Sequence, residues 1–317
     1  MFKLLIIYIS LLSCSPGEEL YARYGHTAIR LQDTENHIDA VFNYGVFSFN
    51  TDNFYWKFVK GETYYQLGIE PTRFFLEDYD QEKRPVYEQY INLTDSQALA
   101  FAQALAINYR PENRSYLYNF VFDNCATRPY NMLKRVFGDT IVSSYTDWEG
   151  CTYREYLQHY TRPHSWEDFA INMIFGRRAD IPMHGEDRLF LPEGLMFFLQ
   201  SATLSDGTPV VRVEDQLPSS IDQHPKPFVI AEVPWYKTWY VGFAVFVLLM
   251  LWFNLVDLRR NKWSWYIDAP FILIYVIFFA IAIFLTFFSI HPLVGFNWRL
   301  FLFPVAHLCL RLIYILR

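Results

Sequence analysis

Alternating apolar and polar positions predict a β-sheet in the first third of the chain. Segments in which every second residue is apolar are typical of strands that bury one face. We predict such strands near residues 4–13, 25–32, 38–45, 63–69 and 84–92.

Apolar residues at helical spacing follow these strands. The clearest helix covers 95–109, where Thr94 or Asp95 is suited to cap the N-terminus. Its apolar positions share one face: Ala98, Phe101, Ala102 and Leu105. Further helices are predicted near 124–137, 152–160, 165–175 and 193–203. Strands followed by separate helices favour the α+β class.

Three long apolar runs lie after residue 234, at 235–256, 269–290 and 300–315. The first two reach the roughly 20 residues that cross a bilayer, and the third is marginal in length. A single run of this kind also suits a buried helix of a soluble protein, but three in succession predict a bundle of about three transmembrane helices. The lipid bilayer is therefore an expected partner.

Basic residues set the predicted orientation of these spans. Arg259, Arg260 and Lys262 lie between the first two runs, whereas Arg299 alone precedes the third. Positive charge concentrates in cytoplasmic loops. Everything before residue 235 is therefore expected on the outer face of the membrane.

These patterns divide the chain into three parts. We predict an outer domain over 1–215, a proline-rich linker over 216–234 and a transmembrane domain over 235–317. About 210 residues are ample for one folded core.

The N-terminal apolar run, 4–12, has two interpretations. It is too short to span a bilayer and resembles a signal-peptide core behind Lys3, but it also fits a first strand. Cys14 is accordingly a strand residue, a lipid attachment site or a disulfide partner of Cys151. Export requires a signal, which we expect upstream of Met1 or within this strand.

Composition and motifs limit the classes of ligand that the chain is expected to bind. Hydrophobic residues make up 52% and aromatic residues 20% of the chain, and the formal net charge is −6. A spread negative charge does not suit nucleic acid. No HExxH, CxxC or glycine-rich phosphate motif is present, so neither a metal nor a cofactor is implied. Aromatic residues cluster at 44–58, where part of the segment is expected to line a lipid-receiving groove.

Two segments carry the candidate chemistry, Gly25-His26-Thr27-Ala28 and Asp123-Asn124-Cys125-Ala126-Thr127. Cys125 lies where an apolar run gives way to a helical pattern. A helix N-terminus lowers the pKa of a thiol, and an imidazole activates it further. We therefore predict Cys125 as nucleophile and His26 as base, with Asn124 as an orienting or pocket residue.

Short motifs over nearly the whole chain carry a family resemblance. They are Cys14-Ser15-Pro16-Gly17-Glu18-Glu19-Leu20-Tyr21, Tyr24-Gly25-His26-Thr27-Ala28-Ile29-Arg30, Val41-Phe42-Asn43-Tyr44-Gly45, Asp123-Asn124-Cys125-Ala126-Thr127-Arg128, Gly176-Arg177-Arg178-Ala179-Asp180, Phe190-Leu191-Pro192-Glu193 and His291-Pro292. Together they resemble the Lnb N-terminal periplasmic domain family, the lipoprotein N-acyltransferase type of Bacteroides-like bacteria.

The order of His before a helix-opening Cys is also similar to permuted papain-like folds, such as the lecithin:retinol acyltransferase group. Those proteins have Asn-Cys-Glu-His where this chain has Asn124-Cys125-Ala126-Thr127, so only the Asn-Cys pair is shared. The resemblance implies a permuted papain-like cysteine-enzyme domain on the periplasmic face of the bacterial inner membrane, in a multi-pass protein.

A third group should orient the imidazole, as in Ser and Cys triads. Asp39 and Asn43 on the next strand are candidates, and the permuted proteins suggest His37, which we expect in a surface turn. We favour Asp39. Tyr44 lines the pocket, donates to an oxyanion or packs in the core.

The resemblance implies a membrane-anchored acyltransferase. Cys125 would take an acyl chain from a membrane phospholipid as a thioester and pass it to the N-terminal amine of a diacylated lipoprotein. Three alternatives remain open from the residues: a cell-wall cysteine peptidase or amidase, a phospholipase, and a non-catalytic membrane scaffold.

Overall fold

The computed structural model describes residues 7–47, 50, 52–138, 141–163, 165–212, 221–230, 234–260 and 265–297. The chain forms two compact units. One contains Met1–Cys151 and Pro182–Ile230, and the other contains Thr152–Ile181 and Ala231–Arg317. Each unit is described by itself.

A six-stranded antiparallel sheet is the centre of the first unit. Its strand order is β5-β1-β2-β3-β4-β6, so the first four strands form a meander and β5 returns beside β1. The strands are β1 (Ile7–Cys14), β2 (His26–Asp33), β3 (Ile38–Val46), β4 (Tyr64–Pro71), β5 (Val86–Tyr90) and β6 (Ser115–Leu117), and a separate pair is β7 (Val142–Ser143) and β8 (Ala202–Thr203).

Nine α-helices lie in the described part of the chain. They are α1 (Phe54–Lys60), α2 (Thr72–Gln81), α3 (Asp95–Tyr109), α4 (Thr127–Phe137), α5 (Tyr153–Thr161), α6 (Ser165–Ile174), α7 (Pro192–Gln200), α8 (Trp239–Arg260) and α9 (Trp265–Phe288). Each of the five predicted strands and five predicted helices overlaps an observed element. Thr94 caps α3 through two reciprocal hydrogen bonds. Its hydroxyl accepts from the Gln97 backbone amide, and the Gln97 side chain accepts from the Thr94 backbone amide.

Both faces of the sheet are covered by helices. The larger core packs α3, α4 and α7 on one face, with Leu11, Ile29 and Leu67 among its fully buried side chains. The second face carries Leu12, Cys14, Ala28 and Val41 against Phe75 of α2. Alternate residues of each strand therefore serve opposite faces.

The second unit joins a segment before residue 182 to the C-terminal helices. The Gly176 amide donates to the Leu293 carbonyl at 3.0 Å. A Cβ on Gly242 would lie 2.8 Å from the Trp166 ring, so helix α8 approaches that ring closely. We predicted residues 152–181 as part of the outer domain; they lie in the compact unit that also contains the C-terminal helices.

One helix of the described residues, α8, is long and apolar enough to cross a membrane. The second predicted run coincides with α9, which contains Pro270 and whose apolar stretch is the shorter segment Ile272–Phe288. The third run, 300–315, lies outside the described residues, as do residues 216–220 and 231–233 of the predicted linker and residues 4–6 of the first strand.

Candidate active site

A closed loop precedes Cys125 and fixes the path of the backbone. The amides of Asn119 and Asp123 each donate to the other residue's carbonyl at 3.0 Å. The Asn119 side-chain oxygen also accepts from the amides of Val121 and Phe122, at 3.1 and 2.9 Å. The chain therefore enters the next helix from a hydrogen-bonded turn.

Asn124 connects this loop to the start of α4. Its side-chain oxygen accepts from the amides of Ala126 and Thr127 at 2.8 and 2.9 Å, which satisfies two of the unpaired donors of the helix. Its side-chain nitrogen, Nδ2, donates to the backbone carbonyls of Phe120 and Phe190 at 2.7 and 2.8 Å. Asn124 is thus a buried positioning residue that presents Cys125 at the helix N-terminus.

The Cys125 sulfur faces backbone amides, yet its pKa is high. The amides of Thr27, Cys125 and Ala126 lower the pKa of the thiol, but burial has the larger effect and raises it to about 11. The predicted position at a helix N-terminus is confirmed, and the predicted fall in pKa is wrong because desolvation disfavours the thiolate. The resting nucleophile is a protonated thiol that needs a base.

His26 opens β2 beside this thiol. The Thr27 amide that contacts the sulfur belongs to the residue directly after His26, so the chain brings base and nucleophile to the same end of the strand. Burial lowers the pKa of the imidazole to about 4, so the ring is neutral near pH 7. A neutral imidazole is the form that accepts a proton.

Asn43 fixes the orientation of this ring. The His26 Nε2 atom lies 2.6 Å from the Asn43 side-chain oxygen, which accepts only if Nε2 carries the proton. The other ring nitrogen, Nδ1, is then the basic one. The resting imidazole and thiol do not hydrogen-bond to each other, and such contacts commonly tighten only when substrate binds.

The prediction that Asp39 orients His26 is not supported by this geometry. In the alignment of β2 with β3, Asp39 lies opposite Gln32, near the end of β2 away from His26. It is four residues along β3 from Asn43. Its carboxylate accepts two hydrogen bonds from the Arg30 guanidinium at 2.8 and 2.7 Å, and a third from the Thr72 hydroxyl. Asp39 is 44% exposed and therefore pairs with the buried Arg30 from the surface, rather than orienting the imidazole.

Substitutions at Asn43 and Asp39 should separate these two roles. We expect Asn43→Ala to lower kcat by about 10²-fold, because the ring loses its fixed tautomer and orientation. Asp39→Asn should leave kcat nearly unchanged and cost about 1 kcal/mol of unfolding free energy or less, since Asp39 is 44% exposed and Arg30 keeps its ion pair with Glu88. Rates and denaturant unfolding of both variants provide the comparison. A larger loss of kcat in Asp39→Asn than in Asn43→Ala would show that Asp39 is the orienting residue.

The other predicted site residues lie elsewhere. Tyr44 points to the opposite face of β3 from Asn43, is 1% exposed, and donates its hydroxyl to the Met132 sulfur at 3.4 Å, so it is a core tyrosine. His37 lies in the turn after β2, at the end away from His26, with a positive φ of 53°. Neither side chain reaches the imidazole.

The remaining cysteines are free thiols where the structure describes them. Cys14 is a buried residue of β1, and burial raises its pKa to about 12. Cys151 is also free, so the structure favours the strand interpretation of Cys14 over a disulfide between the two. Among the described residues, no group of three or more His, Cys, Asp and Glu side chains could hold a metal ion.

Gly25 is a supporting residue whose role follows from its backbone. Its φ of +74° favours glycine, and a Cβ there would lie 2.6 Å from the Cys14 carbonyl oxygen and 3.0 Å from the Phe228 ring. The Phe228 amide in turn donates to the buried Glu193 carboxylate at 2.6 Å. Sequence reasoning missed this support, since it depends on contacts between distant segments.

Gly25→Ala should therefore both destabilise the protein and reduce activity. Gly150 is a matched control, because its φ is also +74° but no atom lies within 4 Å of an added Cβ. We expect Gly150→Ala to cost about 1 kcal/mol and Gly25→Ala about 3 kcal/mol, with a loss of activity only in the latter. Equal effects on thermal unfolding and rate would show that the contacts around Gly25 are unimportant.

Comparison with known proteins identifies the family. The Lnb N-terminal periplasmic domain matches residues 2–159, and the Lnb transmembrane domain matches residues 234–317. Neither a curated protein nor a solved structure matches the chain. The two domains occur in order and cover most of the chain, which confirms the resemblance carried by the motifs. The chain thus belongs to the Lnb family, membrane proteins with a periplasmic domain that act in lipoprotein biogenesis.

Proposed function

We propose that this protein is a cysteine acyltransferase of the bacterial inner membrane, which moves an acyl chain from a phospholipid to the N-terminal amine of a diacylated lipoprotein. The observation that carries the chemistry is the placement of Cys125 at a helix N-terminus, beside a neutral His26 held by Asn43. The donor and acceptor are inferred from the family, since no side-chain spacing specifies them.

In the first half-reaction the Cys125 sulfur attacks the ester carbonyl carbon of the phospholipid. His26 Nδ1 takes the thiol proton as the carbon–sulfur bond forms. The carbon–oxygen bond of the ester then breaks, and the imidazolium returns the proton to the departing glycerol oxygen. The products are a thioester on Cys125 and a lysophospholipid.

In the second half-reaction the amine of the lipoprotein attacks the thioester carbon. His26 removes a proton from the nitrogen as the amide bond forms, and it delivers that proton to the sulfur as the thioester bond breaks. The enzyme returns to its thiol and neutral imidazole. A phospholipase would follow the same first half-reaction, with water in place of the amine.

Donors beside the sulfur would stabilise the oxyanion of both steps. The backbone amides of Cys125 and Thr27 face the sulfur, next to the Ala126 amide that already donates to Asn124. The Thr27 hydroxyl is also buried, and within the described residues it has no hydrogen-bond partner. An unpaired buried donor costs free energy that a substrate oxygen can recover.

Mass spectrometry of lipopeptides tests this proposal in a strain that depends on this protein for lipoprotein N-acylation. We expect the third acyl chain to disappear in Cys125→Ala and His26→Ala at unchanged protein levels. Triacylated lipoproteins in both variants would refute the Cys–His mechanism and favour the scaffold or peptidase alternatives.

The low pKa of His26 predicts an unusual pH dependence. Activity requires the neutral imidazole, so kcat/KM should hold constant as pH falls through 6.5 and decline only as pH approaches the His26 pKa of about 4. Initial rates with a soluble short-chain ester, measured from pH 8 to pH 4, provide the test. A decline centred near 6.5, the ordinary histidine value, would contradict the described environment of the ring.

A further inference from the structure

An exposed aromatic surface lies on and around helix α1. Tyr55 is 74% and Trp56 is 58% exposed on this helix, and Tyr21, Phe58 and Val59 are also exposed. We call these five residues the aromatic surface. Phe54 anchors it, since this side chain is 5% exposed and its ring contacts those of Tyr55 and Phe58 at 5.6 and 6.0 Å.

The backbone fixes the shape of this surface. Asn53 and Gly61 bracket α1, both in the left-handed conformation, and the Gly61 amide closes the last turn. Phe47 links the helix to the 3-10 turn Leu20–Ala22, because its ring lies 5.8 Å from Phe54 and 6.1 Å from Tyr21. The exposed rings are therefore presented by a defined structure.

The composition of the aromatic surface fits the headgroup level of a bilayer. Tyr and Trp concentrate at membrane interfaces, where one end of the side chain is apolar and the other is hydrated. Lys57 lies on the same helix and pairs with no carboxylate of the described residues, whereas Lys60 pairs with Glu62 at 2.6 Å. The Lys57 ammonium is suited to a lipid phosphate.

Stacked rings continue from this surface towards the nucleophile. Ring centroids are 4.9 Å apart between Phe47 and Tyr65, and 4.2 Å apart between Tyr65 and Tyr118. Tyr118 directly precedes Asn119, whose backbone exchanges two hydrogen bonds of 3.0 Å with Asp123, two residues before Cys125. The rings from Phe54 to Tyr118 thus form an apolar row that runs from the exposed helix to the closed loop before Cys125.

We infer that the aromatic surface binds the phospholipid bilayer at headgroup depth, and that the row of rings behind it guides the donor acyl chain to Cys125. The second part rests on the proposed function, whereas the bilayer contact stands without it. The occupant is membrane lipid, because interfacial aromatic residues and an uncompensated lysine occur together on a helix of a membrane protein.

Fluorine NMR of the full chain in lipid nanodiscs tests the bilayer contact. The nanodiscs contain no scaffold protein, so every tryptophan signal comes from this chain. Tryptophan is replaced by 5-fluorotryptophan, and the Trp56 signal is assigned by its loss in Trp56→Phe. We expect headgroup spin-labelled phospholipid to broaden this signal and a water-soluble relaxation agent to leave it sharp. Broadening by the soluble agent alone would overturn the inference and favour a protein partner for this surface.

Kinetics test the route to Cys125. We expect Lys57→Glu and Trp56→Asp to lower transfer from bilayer phospholipid by roughly fivefold or more each, and to change the reaction with a soluble short-chain ester less than about twofold. Ile107→Asp, at an exposed apolar position on α3, is the matched control and should affect neither donor. Equal losses with both donors, or losses as large in Ile107→Asp, would overturn the guiding role.

These readouts separate the two proposals. If the wild-type protein forms no thioester from either donor, the proposed function fails, while the NMR result still decides the bilayer contact. If the thioester forms but the aromatic variants transfer normally from the bilayer, the inference about the aromatic surface fails alone.

Discussion

Replacement of Cys125 by alanine should reduce acyl transfer by at least about 10³-fold without unfolding the protein. The covalent intermediate cannot form without the sulfur, and removal of one member of a catalytic unit generally costs this much or more. The closed loop and the Asn124 hydrogen bonds use none of the Cys125 side chain, so the helix N-terminus should keep its structure. Activity and thermal unfolding are measured on the same preparations.

Cys151→Ala is the matched control for this prediction. Cys151 is another free, part-buried cysteine, and it lies outside the site. We expect the control to retain full activity. Residual transfer above about 10% of wild type in Cys125→Ala would contradict nucleophilic catalysis and favour the scaffold alternative.

The second largest effect is expected for His26→Gln, with a loss of about 10²- to 10⁴-fold in kcat. Glutamine can still reach Asn43 but cannot take the thiol proton. Because burial holds the Cys125 pKa at about 11, few molecules would carry a thiolate at neutral pH. The variant should therefore recover activity as pH rises towards that value, whereas the wild type should not gain.

An exposed histidine provides the control for His26→Gln. The His224 side chain is 91% exposed, so His224→Gln should leave kcat unchanged. A His26→Gln variant with near wild-type kcat at pH 7 would show that the thiol ionises without the imidazole. In that case His26 would not be the general base.

Periodicity was sufficient to predict most of the sheet and its main helices. The strands β1 to β5 bury one or both faces, so their apolar residues recur at every second position, and α3 carries a clear cap at Thr94. Helices α1 and α2 were not predicted. Their apolar residues are mostly aromatic and are interspersed with charges, and tertiary contacts at Phe54 and Phe75 hold them in place.

The sequence predicted those site residues that short local motifs mark. His26 and Cys125 follow from short motifs, but the orienting residue depends on how β2 and β3 are aligned. Asp39 and Asn43 share one face of β3, and only the alignment of the strands places Asn43 beside the imidazole. The high thiol pKa was also not predictable, because it depends on how much protein encloses the sulfur.

Intact-protein mass spectrometry tests the central claim most directly. The full chain is incubated with an isotopically labelled phospholipid and no acceptor, beside Cys125→Ala. We predict a mass increase of one labelled acyl chain in the wild type only, removed by hydroxylamine and transferred to the amine when a diacylated lipopeptide is added. An adduct that persists in Cys125→Ala, or acylation of the lipopeptide without any adduct on the enzyme, would contradict a thioester at Cys125.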